Sequence, residues 1–233
     1  MSGSDDFVQP FQIESRSAQG RLVKIGPALD AVLSAHNYPS IVAGLLGEII
    51  VVGAMLSGTL KKSGVLSIQI HGSAAIKFLV VDVTHDGAMR GYARFDEQQL
   101  KCLDSDRYVA NKPIVPLLLP NGKLTFTLTE EGNKPPYQGI VPLEGKTIGG
   151  CVAAYFCRSV QSEAVFKIAV AQCELGWRGG GLMLQRLAQK GFQPQSGDKT
   201  IIDVDEIWNR AVVLMESCSN TELICKSLHP HEL

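Results

Sequence analysis

Apolar and polar residues alternate along much of this chain with the period of two that marks half-buried β-strands. Leu66, Ile68 and Ile70 interleave with Ser67, Gln69 and His71, and Leu124, Phe126 and Leu128 interleave with threonines. Ile76 to Val83 is more continuously apolar, which predicts a central strand. Thr84-His85-Asp86-Gly87 then supplies a hairpin turn, because Asp-Gly tolerates positive φ, before a return strand from Ala88 to Phe95. These three strands predict a meander. Val8, Phe11 and Ile13, followed by Leu22, Val23 and Ile25, predict two short strands around the turn-prone Ser17 to Gly20. Asn121-Gly122 opens the strand through Leu128, and Tyr137 to Val141 follows as its partner, so this pair predicts a second small sheet. Val165 to Ala171 and Gly180 to Leu187, joined by Gln172 to Gly179, predict two more strands. The stretch from Asp96 to Pro120 shows weak periodicity and supports no assignment.

Helical spacing appears at four places. Gly26-Pro27 opens a helix, with proline in the first turn where no donor is lost, and Leu29, Val32, Leu33 and His36 form its stripe. Pro39 to Leu60 is apolar on every side and about 22 residues long, roughly 33 Å as a helix and enough to cross a bilayer. Glu48 near its middle and its glycines favour a helix buried under a sheet. Thr147 caps a helix running to about Gln161 with Val152, Tyr155 and Phe156 on its apolar side. After a polar stretch from Gly191 to Asp198, Asp203 and Glu206 resemble a capping box, and Val204, Ile207, Trp208, Ala211 and Met215 share one face. Ser219 and Glu222 repeat the capping signal, and Pro230 could open a third helix. The pattern therefore predicts an α/β (α+β) chain with mixed, mostly antiparallel sheets packed with helices. Residues 1–190 are expected to form a core, followed over residues 191–233 by short helices.

The 22 Lys plus Arg nearly balance 23 Asp plus Glu, leaving a formal charge of -1 and no broad basic field for a nucleic-acid backbone. The N-terminus lacks a basic segment followed by an apolar one, so a cytoplasmic chain with six reduced thiols is expected. None of Cys102, Cys151, Cys157, Cys173, Cys218 and Cys225 forms a Cys-x-Cys or Cys-x-x-Cys pair.

Catalytic signatures are missing: there is no Gly-x-Ser-x-Gly elbow, His-Glu-x-x-His helix, Walker loop or dinucleotide fingerprint. Gly179-Gly180-Gly181 is followed by strand-like residues instead of a helix, which favours close packing or a bulge over phosphate binding. His229, His231 and Glu232 read as a solvated helix start. Asp104 with Asp106, and Asp203, Asp205 and Glu206, read as loop or capping acids. An enzyme on this core would need a pocket gathering His71, His85 or Asp82.

Tyr137-Gln-Gly-Ile-Val-Pro-Leu-Glu-Gly145 is the most distinctive word in the chain. With it stand Tyr38-Pro39, Leu45-Leu-Gly-Glu48, Thr59-Leu-Lys61, Ile68-Gln-Ile-His-Gly72, Arg90-Gly-Tyr-Ala-Arg94, Tyr155-Phe156 and Gly180-Gly-Leu-Met-Leu-Gln-Arg-Leu187. In order and spacing this set resembles the 33 kDa chaperonin family of redox-regulated heat-shock holdases; Ser159-Val160-Gln161 departs from the Ser-Glu-Gln usual there. The resemblance implies an ATP-independent chaperone, not an enzyme, that binds unfolding client proteins and forms a homodimer, with exchanged elements as one route; the charge balance and Glu48 leave neither nucleic acid nor membrane as an expected partner. It also implies zinc held by four cysteines of a C-terminal module; the sequence stops at Leu233 before such a module, so no cofactor is expected in this chain. The apolar surface of the first linker helix, Ile207, Trp208, Ala211, Val212, Leu214 and Met215, is the candidate client-binding surface.

Overall fold

A computed structural model describes residues 6–13, 18–58, 60, 64–102, 113–130, 135–187 and 204–224. The elements run β1 (Phe7–Gln12), β2 (Ala18–Ile25), α1 (Pro27–Leu33), α2 (Ser40–Ser57), β3 (Val65–His71), β4 (Ile76–Thr84) and β5 (Met89–Phe95). There follow α3 (Glu97–Lys101), α4 (Val115–Leu118), β6 (Lys123–Thr129), β7 (Tyr137–Pro142) and α5 (Ile148–Tyr155). The chain ends with β8 (Ala164–Cys173), β9 (Gly176–Arg186), α6 (Val204–Ser217) and α7 (Asn220–Ile224). The weakly patterned stretch after Asp96 holds the short α3 and α4; residues 103–112 lie outside the described residues, as does the expected boundary at 191–198.

Two antiparallel sheets result, ordered β1-β2-β9-β8 and β5-β4-β3-β6-β7. The expected meander is present, and Gly87 makes its turn at φ +86°. The expected separate sheet is not. β6 pairs with the free side of β3, placing Phe126 opposite Ile68 and Leu124 opposite Ile70, so β6 and β7 extend the meander's own apolar face. β3 thereby takes the centre, and β4, expected there, lies beside it. The other sheet joins the two ends of the chain through β2 and β9, with Val23 opposite Gly181. β8 and β9 run closer together than their apolar cores suggest, because Gly176 adopts φ +94° and the Asp30 carboxylate accepts the Trp177 amide at 2.8 Å.

α2 explains why Pro39 to Leu60 is apolar all round. It packs on β3, β4 and β5 of one sheet and on β2, β8 and β9 of the other, and sixteen of its eighteen residues are buried. A Cβ on Gly47 would stand 2.9 Å from Val170 and one on Gly53 2.7 Å from Val83, so each glycine permits close approach to a different sheet. Long and apolar enough to cross a membrane, the helix instead fills the space between two sheets. α5 is capped as expected, with the Thr147 hydroxyl accepting the Gly150 amide at 3.1 Å, and continues as a π-helical turn, Phe156–Val160, that ends at Gln161 with φ 54°.

Candidate functional site

β9 is buried on both of its faces. Gly179, Gly181 and Met183 point toward α1 and α2, whereas Gly180, Leu182 and Leu184 point outward, where α6 and α7 lie across β8 and β9. The order through the molecule is five-stranded sheet, α2, four-stranded sheet, then the α6–α7 cover.

Local signals set the cover. In α7 the Ser219 amide donates to the Glu222 carboxylate at 2.6 Å and the Glu222 amide to the Ser219 hydroxyl at 3.2 Å, the reciprocal pair of the expected capping box. The equivalent position before α6, Asp203, lies outside the described residues, as do Pro230 and the terminal histidines. Trp208 and Met215 are seven residues apart, about two helical turns, so both fall on the face that meets Ala18 and Leu184. Ala211 and Val212 are half-buried beside them. Leu223 of α7 is fully buried with Leu22 and Ala169. Charge ties both ends of α6: Arg186 of β9 bridges Glu163 and Asp205 in the first turn, and Lys167 of β8 donates to the Glu216 carbonyl at 2.5 Å. An acid at the helix start and a cation at its end both complement the helix dipole.

The six candidate residues are thus divided. Trp208 and Met215 are seated on the sheet, Ile207, Ala211 and Val212 are half-buried, and Leu214 is 70% exposed beside exposed Val213. At about 100° per residue Leu214 lies some 120° from Trp208 around the helix, which removes it from the buried stripe. Two participants escaped the sequence reading. Gly180 is one: a Cβ there would drive into the Leu223 carbonyl oxygen, so the glycine run gives α2 room on one face and α7 on the other. Lys167 is the second, and its pattern position on the outward face of β8 was the available signal.

No other cluster competes among the described residues. His71 and His85 lie at opposite ends of the β3–β4 hairpin, and Asp82 is engaged by the Ser67 hydroxyl and by Arg90 at 2.7 Å, so they form no common pocket. No group of three or more His, Cys, Asp or Glu able to hold a metal ion occurs among the described residues, so the zinc implied by the resemblance finds no fit there. Cys102, Cys157 and Cys173 are exposed, Cys218 is half-buried at the α6–α7 corner, and Cys151 is buried. Burial, reinforced by the neighbouring Glu48, pushes the Cys151 thiol up to about 12. Since the folded value lies above the unfolded one, this thiol supports the fold below pH 9 and loses that support as pH rises toward 12. At pH 8 Cys151 should resist a thiol reagent until the chain unfolds, while Cys157 and Cys173 label at once; mass mapping of labelled peptides checks this, and early labelling of Cys151 contradicts it.

The distinctive words are packing features. A Cβ on Gly139 would stand 2.6 Å from the Tyr155 hydroxyl, and the Tyr155 ring lies 4.3 Å from that of Phe126. The Tyr38 hydroxyl accepts the Ala93 amide at 3.1 Å, linking two further words.

Comparison with known proteins agrees with this. A family model described as Hsp33 protein matches residues 6–233. The 33 kDa chaperonin of Caulobacter vibrioides is 35% identical over 224 residues, covering 94% of this chain and 70% of the relative. That of Ectopseudomonas mendocina is 32% identical over 221 residues, covering 94% and 68%. The crystal structure of the 33 kDa chaperonin (heat shock protein 33 homolog) from Thermotoga maritima superposes with a TM-score of 0.74 at 16% identity, covering 97% of this chain and 72% of that one, a likeness of fold.

Proposed function

The chain belongs to the Hsp33 protein family, and from that premise we propose that it is an ATP-independent holdase that masks its binding surface beneath α6 and α7. Its relatives are named as chaperonins, so the activity is that of a chaperone and not of an enzyme. The observation that carries the finer reading is the thinness of the cover. Among the described residues its two contact clusters hold four and three buried residues, against 42 in the main core. A segment with so few buried contacts opens well before the body unfolds. Opening bares Trp208 and Met215 on the helix together with Leu22, Leu182 and Leu184 on the sheet, contiguous apolar surface of the kind that unfolded chains bind.

Redox control belongs to this proposal for a protein carrying the family's paired cysteines. The 233 residues contain no such pair. This chain by itself should therefore suppress the thermal aggregation of a model enzyme without ATP, equally in reducing and oxidising buffer. Light scattering measures it, and idleness in both buffers would sink the proposal. Leu214→Ser should leave stability within about 0.5 kcal/mol, as exposed substitutions do. A loss of suppression by that variant would place client contact on the outer side of α6. The same family reading extends to a cytoplasmic location and to a homodimer, and sedimentation of the purified chain checks the latter.

A further inference from the structure

A formal charge of -1 conceals an uneven distribution. The registers of the five-stranded sheet place Arg94, Phe78, His71 and Lys123 in one row across β5, β4, β3 and β6, on the face turned away from α2. Tyr92 and Arg90 stand on that face in the next rows along β5. Arg94, His71 and Lys123 are exposed, Tyr92 is 47% exposed, and Phe78 is half-buried with the His71 ring 4.7 Å away. Asp82, the acid of this face, is already neutralised by Arg90, whereas Arg94 and Lys123 have no acidic partner among the described residues. The row from Arg94 to Lys123 spans three strand spacings, roughly 14 Å.

Aromatic rings on adjacent strands, flanked by unpaired cations on an open sheet, are what single-stranded nucleic acid requires: bases stack on the rings and phosphates meet the cations. The local sequence agrees. Arg90-Gly91-Tyr92-Ala93 matches the first four positions of the Lys/Arg-Gly-Phe/Tyr-Gly/Ala pattern by which RNA-recognition sheets display a stacking aromatic, and it lies on a strand with Tyr92 outward. The match departs at the fifth position, where Arg94 replaces an aromatic, and Phe78 of β4 supplies the second ring.

We propose that this face binds single-stranded nucleic acid, with Tyr92 and Phe78 as stacking platforms and Arg94 and Lys123 as phosphate contacts. The site lies on the opposite side of the molecule from the α6–α7 cover and acts independently of it.

The test is fluorescence anisotropy of the 233-residue chain with labelled 15-residue oligo-U and oligo-dT at low salt, beside a duplex of equal length and a polyglutamate peptide. Single strands bind, and log affinity falls against log salt with a slope of about -1.4 from two phosphate contacts. Tyr92→Ala weakens binding roughly ten-fold, and the double variant Arg94→Gln, Lys123→Gln flattens the salt slope. Circular dichroism and aggregation suppression stay unchanged in both variants, so failure here is distinguishable from failure of the holdase reading. Absence of single-strand binding, or binding indifferent to these substitutions, overturns the proposal. So does equal affinity for the duplex. Polyglutamate binding of equal strength with the same residue dependence overturns it in favour of an acidic protein partner.

Discussion

Gly180→Ala should release the cover and raise aggregation suppression in a protein whose core is otherwise intact. The new methyl group would drive into the Leu223 carbonyl, which is backbone and cannot step aside as a side chain can, so α7 must leave its seat. Leu223 is fully buried, and giving up that burial costs about 2–3 kcal/mol, a rise of roughly 30- to 150-fold in the open population. The control is its neighbour on the same strand. A methyl at Gly179 meets Leu29 and Val51 at 2.8 Å, on the side of α2, so Gly179→Ala should lower the melting temperature without selective opening. Limited proteolysis of residues 187–224 reports the opening and light scattering reports client holding. If Gly180→Ala makes the cover protease-sensitive yet client holding does not increase, the surface beneath α7 is not where clients bind.

Trp208→Ala should open the cover at least as far as Gly180→Ala and yet hold clients less well. Removing a buried tryptophan typically costs about 3–5 kcal/mol, and Trp208 is the largest side chain anchoring α6, only 3% exposed. The cover should open as in Gly180→Ala, but the opened surface has lost its main aromatic. Suppression should therefore fall several-fold below that of Gly180→Ala at equal protease sensitivity. Should the two variants hold clients equally well, the binding surface is the sheet, with Leu22, Leu182 and Leu184, and α6 serves only as its lid.

The elements were legible because alternation and helical spacing report which side of a segment is buried, and those sides are the ones found: Ile68 and Ile70 inward, Trp208 and Met215 inward. Neighbours were not legible. A period of two says nothing about which strand lies alongside, so β6 joining β3, and β2 joining β9 across the length of the chain, emerged only in three dimensions. The membrane-length apolar stretch was read as a buried helix, and its partners on both sides supply the reason. Within the cover, the amphipathic stripe of α6 was visible, and Leu214, named beside it as candidate client surface, stands on the exposed side of the helix. The seat at Gly180 depends on a backbone approach from residue 223, which no local pattern records. The basic sheet face was hidden for a different reason: a whole-chain charge count averages over the two sides of a sheet.

The placement of α2 carries a consequence for biosynthesis. One of the two walls around this helix is completed only when β9, ending at Arg186, pairs with β2. While the ribosome is still making the middle of the chain, Ile41 to Leu56 has its first wall in prospect and lacks its second. Such long-range closure is slow and leaves nascent chains prone to aggregate. A protein that shelters others is thus, for most of its own translation, in need of shelter itself.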